Sequence, residues 1–308
     1  MLALAPTRPS RLRASPARRL WESLSFGLQF FASRRTGPFV LGLVTNDTCN
    51  LHCRHCRVAN IYHERMRYEE IGGHLERFYR RGARFVYLEG GEPYLWRDGE
   101  RRLPDVVRLA REVGYLRVHV YTNGTFPLDP APDFTWVSID GLGETFRSIR
   151  GIEVERVLEN VRGFAGRFGV VFVVNTLNYR EIRAFLEFIR AELPRGRVMF
   201  FFHTPYYGVD DLLPSPAQKA EAIETILQCK RERLPVLNSR AGLRALGHGR
   251  YPHPTRLWYV VDRTGEYPCC RAYGHPEVCE QCGYATCAEI VLSRSLRPGP
   301  FWTMCKVF

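Results

Sequence analysis

The stretch "CNLHCRHC", residues 49–56, sets three cysteines at spacings of four and three and then offers no fourth until Cys229. It follows directly on "FVLGLVT" (39–45), an apolar run of the kind that forms a strand buried on both faces. A thiol-bearing loop after a first strand places soft metal ligands at the C-terminal edge of the sheet, the edge at which parallel α/β proteins carry their chemistry. Thiolates select zinc or iron–sulfur clusters. Structural zinc wants four ligands, and His52 or His55 could complete such a shell. The alternative is a [4Fe–4S] cluster held at three irons, its fourth left open to a substrate or cofactor. On spacing alone both readings stand.

Outward from this loop the chain alternates. Further apolar runs read as strands: "RFVYLEG" (84–90), "LRVHVYT" (116–122), "FTWVSID" (134–140), "VVFVVNT" (170–176) and "RVMFFFH" (197–203). Helical stripes lie between most of them: Ile71, Leu75, Phe78 and Tyr79; Val106, Val107, Ala110 and Val113; Val154, Val157, Leu158 and Val161; Ile182, Phe185, Leu186 and Ile189. Strand–helix repetition predicts an α/β fold with a parallel sheet and right-handed crossovers, six strands curling into a partial (β/α)6 barrel. The proline-broken "NGTFPLDPAPD" (123–133) predicts a third crossover without a full helix. Glu89, Asn123, Asp140, Asn175 and His203 end successive strands on the functional edge. A helix around 216–232 follows, with Ser215 and Pro216 as cap and first turn. The expected organisation is a basic extension (1–37), a barrel (38–210) and a small Cys-rich C-terminal region (211–308).

Composition narrows the class. With 45% hydrophobic and 25% charged residues, the 308-residue chain has ample material for a core. A formal charge of +12 favours anionic partners without choosing among them. No apolar run reaches the roughly 18 residues of a membrane-spanning helix, and the first residues lack a secretory h-region. Ten cysteines in short-spaced clusters then point to metal ligation in a reducing, cytoplasmic setting. Within 1–37, seven arginines face one acid, and Leu20, Leu24, Leu28 and Phe31 recur at helical spacing. Such a helix can lie on the inner face of an anionic membrane or pack on the barrel wall.

Cys-x3-Cys-x2-Cys directly after the first strand, followed by "EGGEP" (89–93) at the end of the second, resembles the radical S-adenosylmethionine (SAM) superfamily. "TNGT" (122–125), "SIDG" (138–141) and "RG" (150–151) are similar to strand ends of its SPASM and Twitch subfamilies. The resemblance implies that Cys49, Cys53 and Cys56 bind three irons and that SAM chelates the fourth. It implies His55 near the adenine, and Glu89, Gly90, Gly91 and Glu92 on the strand end that meets the methionyl amino group. Asn123 and Asp140 would contact ribose or carboxylate, although each also suits a local turn. The implied activity is reductive cleavage of SAM and hydrogen abstraction at an unactivated C–H bond, with electrons from a flavodoxin- or ferredoxin-type protein. Nucleic acid is not an expected partner.

The tail carries Cys269, Cys270, Cys279, Cys282, Cys287 and Cys305. "CEQC" has metal-site spacing, and Cys270 stands five residues after Gly265, similar to the Gly-x4-Cys step of the SPASM and Twitch region. No cysteine precedes that glycine in "RYPHPTRLWYVVDRTG", so one auxiliary [4Fe–4S] site is expected and not two. Cys270, Cys279, Cys282 and Cys287 are its expected ligands, Cys269 and Cys305 the alternatives, and zinc the rival metal. Cys229, beside Ile223, Ile226 and Leu227, reads as a buried inert thiol. The arginine-rich leader suggests a lipid or membrane-associated substrate. The tail suits a peptide maturase or small-molecule enzyme equally, and a cluster- or zinc-stabilised binding protein is the non-catalytic rival.

Overall fold

The computed structural model describes residues 37–206, 210–249, 251–295 and 297–307. The leader with Leu20, Leu24, Leu28 and Phe31 lies outside them. The six predicted strands form: β1 (Val40–Val44), β2 (Phe85–Glu89), β3 (Arg117–Thr122), β4 (Phe134–Ser138), β5 (Phe168–Val174) and β6 (Val198–Phe202). All are parallel, paired in chain order. The helices α1 (Tyr68–Arg81), α2 (Leu103–Val113), α3 (Gly143–Arg150), α4 (Glu155–Arg162) and α5 (Ile182–Glu192) fill the crossovers. Between β3 and β4 the chain runs as an irregular loop, as its prolines predict. Asp133 closes that loop by accepting from the Val118 N–H at 2.8 Å.

Alternation on β1 decides which face meets what. Leu41 and Leu43 pack outward with Val86, Leu88, Val118 and Val120 against Ile71, Leu75 and Phe78 of α1. Val40 and Val44 face inward with Tyr87 and Trp258. Gly42 lies between them, and a Cβ there would come 2.3 Å from the Tyr87 ring. The bare position lets the phenol cross the strand and accept from Trp258 Nε1 at 2.8 Å.

The tail uses this sheet. After α6 (Pro216–Arg231) and α7 (Arg240–His248), β7 (Trp258–Val261) pairs parallel to β1. β8 (Glu266–Pro268) then turns back antiparallel on β7, giving the order β8-β7-β1-β2-β3-β4-β5-β6. These two strands were not expected from the sequence. At the other edge, Gly283 sits so close to β6 that a Cβ would meet the Phe202 carbonyl at 1.9 Å, and its own carbonyl accepts from Phe202 N at 2.9 Å. Helix α8 (Ala285–Arg294) starts there; Cys287 and Ala288 join the β4–β6 core, while Ile290 joins the β1 side. Helix α9 (Pro298–Val307) packs on α8. The Cys-rich segment thus spans the open side of the barrel.

Candidate functional site

The cysteine loop is built by two side chains that the sequence reading passed over. Asp47 accepts from the backbone N–H groups of Ile61, Tyr62, His63 and Glu64 at 2.6–3.1 Å, which folds the segment after the cysteines back on its start. Asn60, at a positive φ of 58°, accepts from Cys49 N at 2.7 Å and donates to the Leu51 carbonyl at 3.1 Å. Asparagine tolerates that left-handed backbone, which is the signal its sequence position carried. Arg54 N donates to the Ile149 carbonyl at 2.8 Å and ties the loop to the end of α3.

The glycine turn locks onto this loop. Gly91 N donates to Asn46 O at 2.7 Å and Glu92 N to Thr48 O at 2.9 Å. A Cβ on Gly90 would lie 2.2 Å from Asn46 O, and one on Gly91 2.3 Å from Thr48 O. The glycines are therefore required first by backbone meeting backbone. Glu92 is fully buried, and its carboxyl accepts from Thr122 Oγ1 at 2.8 Å, Asn123 N at 2.8 Å and Tyr94 N at 3.0 Å. Burial pushes its pKa up to about 7. Glu92 thereby fastens the turn after β2 to the end of β3. Glu89 ends β2 half-buried; burial raises its pKa and Arg271 opposes the shift.

Asn123 donates to Asn50 Oδ1 at 2.9 Å and towards Cys49 Sγ at 3.6 Å, and accepts from Thr125 N at 2.9 Å. It is a turn residue and a thiol neighbour at once. Asp140 is buried and bound to Arg150 through Nε at 2.7 Å and Nη2 at 2.5 Å, with Val173 N donating at 2.7 Å. His55 Nε2 lies 3.9 Å from the same carboxylate, while His55 Nδ1 is buried with no hydrogen-bond partner. Burial pushes the imidazole down to about 4, so it is neutral at neutral pH. Burial works against the charge of Arg150, but Asp140, Cys53 and Cys56 hold its pKa above the usual value. His203 Nε2 lies 2.8 Å from Asp210 at the end of β6, and Arg54 pairs with Asp211.

Does this set suit an iron–sulfur cluster? Cys49, Cys53 and Cys56 are unbridged and half-buried, and burial pushes Cys53 up to about 11 and raises Cys49. Among the described residues no three His, Cys, Asp or Glu side chains converge as ligands of a single ion. A cubane asks its thiolates for separate irons, so a shared hollow suffices. A buried cation beside Cys53 and Cys56, a neutral imidazole and a chain that donates to Cys49 Sγ from Leu51 N at 3.4 Å all suit an anionic cluster. The donor set fits.

In the tail, five cysteines come together. Cys269, Cys270, Cys279 and Cys282 line one small hollow with Tyr273 and Tyr284, and Cys287 is hydrogen-bonded to Cys269. The Cys269–Cys270 hydrogen bond and burial both raise the Cys270 thiol. Tyr251 donates to Cys282 Sγ at 3.3 Å. Cys305 is exposed on α9, and Cys229 is buried on α6.

A family model described as the radical SAM superfamily matches residues 43–211, more than half of the chain. A probable GTP 3',8-cyclase of Saccharolobus islandicus (strain M.14.25 / Kamchatka #1) is 34% identical over 120 residues, which are 34% of this chain and 37% of that protein. The match therefore spans little more than a third of the length of these curated relatives. Among solved structures, Streptococcus suis SuiB bound to S-adenosylmethionine superposes with a TM-score of 0.64 at 14% identity, over 87% of this chain and 68% of SuiB. The anSMEcpe protein with bound AdoMet and a peptide gives 0.61 at 18%, over 78% and 76%. At these identities the two structures share the fold. No described helix is long and apolar enough to cross a membrane.

Proposed function

The chain belongs to the radical SAM superfamily, and on that premise we propose that Cys49, Cys53 and Cys56 hold a [4Fe–4S] cluster at three irons and leave the fourth for SAM. When bound, that cluster supplies the electron that cleaves SAM to methionine and a 5′-deoxyadenosyl radical, which takes hydrogen from a substrate C–H bond. The residues of the chain prepare the place. Arg150 brings one buried positive charge to a loop that must carry three thiolates, and neutral His55 adds none. The unpartnered Nδ1 of His55 is left for the adenine. No described residue donates to the Gly90 or Gly91 carbonyl, which leaves both for the methionyl ammonium. Glu92 acts from behind, fixing that turn, and Asp140 acts through Arg150. Asn123 reaches the same site from the end of β3.

A second [4Fe–4S] cluster on Cys270, Cys279, Cys282 and Cys287, with Cys269 as the fifth thiol in reach, is part of the proposal. The region 211–308 would then be a cluster-bearing closure of the barrel 38–210. A flavodoxin- or ferredoxin-type protein would supply the electrons. Substrate would enter past a rim of polar pairs, His203–Asp210 and Arg54–Asp211. That rim favours a peptide or a polar small molecule over a lipid, whose support rests on the leader alone.

One observation carries the reading: cysteine loop, glycine turn and β3 end form a single hydrogen-bonded unit at one edge of a parallel barrel. The test is anaerobic incubation with SAM and dithionite. The wild-type protein should form 5′-deoxyadenosine, and Cys53→Ala should form none while keeping iron in the tail. Equal product from Cys53→Ala would end the proposal.

A further inference from the structure

At the end of the barrel opposite the cysteine loop, a cavity of about 410 Å³ opens between the starts of β4, β5 and β6 and the end of α9. Arg167, Arg195, Arg197 and Lys306 line it, with Phe134 and Phe168 as its apolar floor, and among the described residues no acidic side chain does. Elsewhere arginines take carboxylates: Arg77 and Arg81 pair with Glu266, Arg111 with Asp133, Arg162 with Glu192 and Arg183 with Glu232. Here none of the four cations has a carboxylate partner among the described residues. Two of them are nevertheless held in place. Arg167 donates to the Lys306 carbonyl at 2.8 Å and lies over the Phe134 ring at 5.5 Å. Arg195 donates to the Phe164 carbonyl and lies over the Phe168 ring at 5.9 Å. Carbonyl and ring contacts orient a guanidinium without neutralising it, and leave other N–H groups of the fork to point elsewhere.

Like charge extends beyond the lining. Burial and the charges of Lys306, Arg240 and Arg197 push Lys230 down to about 8; Glu289 works the other way but is buried and outside the lining. A hollow of this size falls in the range of roughly 300–1,000 Å³ that small ligands occupy. Guanidinium forks match the paired oxygens of a phosphate, and several cations together prefer a multivalent anion to chloride.

We propose that this cavity is a second binding site, for a phosphate-bearing ligand held by Arg167, Arg195, Arg197 and Lys306. The bound phosphate would bridge the β5 and β6 edge to α9. Because α9 packs on α8, which carries Cys287, occupancy would brace the cysteine tail from behind. The ligand is a free phosphate compound or the phosphate of a lipid headgroup.

Calorimetry on the full, anaerobically reconstituted chain tests it, with inorganic pyrophosphate as the probe at constant ionic strength. Wild type should bind one equivalent, Arg195→Gln/Arg197→Gln should bind at least tenfold more weakly, and Arg195→Lys/Arg197→Lys should recover part of the loss. Circular dichroism and iron content should match wild type in both variants. A parallel sedimentation arm uses phosphatidylcholine vesicles with and without phosphatidylglycerol. Vesicle binding that weakens in the Gln variant and is competed by pyrophosphate assigns the ligand as a headgroup; pyrophosphate binding without such vesicle binding assigns a free phosphate compound. Absence of pyrophosphate binding, or equal binding by the folded Gln variant, overturns the site.

Discussion

At the scale of single residues, Glu92 holds the candidate site in shape from within the core. Its buried carboxyl is the acceptor for two backbone N–H groups and one hydroxyl. Truncation to Ala leaves all three donors in a dry pocket, and each buried unpaired donor costs about 1–3 kcal/mol. Relief of the buried acid offsets part of this. Glu92→Ala should therefore lower the urea midpoint by an amount worth about 3 kcal/mol or more, while Glu92→Gln, which keeps one acceptor oxygen, should lose less than half as much. An unchanged midpoint in Glu92→Ala would mean that the brace contributes nothing. This residue also shows what a motif conceals. "EGGEP" was read through the ligand that the resemblance implies, and nothing in that reading showed that its glycine Cβ positions are also closed by the carbonyls of Asn46 and Thr48. Asp47 and Asn60 were missed because a loop-folding Asp or Asn looks like any other turn residue until its backbone partners, 9 to 17 positions away, are known.

At the scale of elements, the long apolar strands were legible and the short ones were not. β1, β4 and β6 are near-continuous runs buried on both faces, and such runs read plainly. β7 has four residues and β8 three, one of them Pro268, so neither is long enough to display a period. Only the pairing of β7 to β1, and of β8 to β7, defines them. Helix α8 was hidden in the same way, because it is buried on most sides and carries no amphipathic stripe. Its burial has a measurable consequence. Glu289 on α8 is fully buried, accepts from Ser239 N at 2.7 Å and leaves Oε2 unpartnered. Burial pushes its pKa from 4.5 to about 7. The folded protein thus holds a proton that the unfolded chain has released, so the contribution of Glu289 is complete below the unfolded value and is lost as pH rises through 7. The full swing is on the order of 3 kcal/mol. Glu92 titrates in the same window with the same sign. Taken as the difference between wild type and Glu289→Gln, which removes the opposite-signed titration of buried His55 and His119, apoprotein stability should accordingly fall from about pH 5 to pH 8. A slope unaltered by the substitution would show that Glu289 is already ionised in the fold.

At the scale of the molecule, the two cysteine groups belong to one architecture. The first follows β1, while the second follows β8 and runs into α8, which closes the gap between β6 and β7. Cys287 sits in the same core as Val170 and Phe200, with Tyr121 packed against it. The sequence placed the first group at the edge of a barrel, but it left the second as a metal-held appendage, since sheet addition across more than two hundred residues has no local signature. If both groups hold cubanes, reconstitution should give about eight irons per chain. Replacing Cys49, Cys53 and Cys56 together should leave about four, with the tail still folded, because β7 keeps its pairing to β1 and β8 its pairing to β7. Replacing Cys282 and Cys287 removes thiols that are packed in the barrel core, so the loss should spread: iron falls below four and the melting temperature drops. This asymmetry separates an integral tail from a detachable one. Iron content and calorimetric melting of the two variants, measured side by side, decide it. Two independent losses of four irons with unchanged melting would show that the tail is an appendage after all.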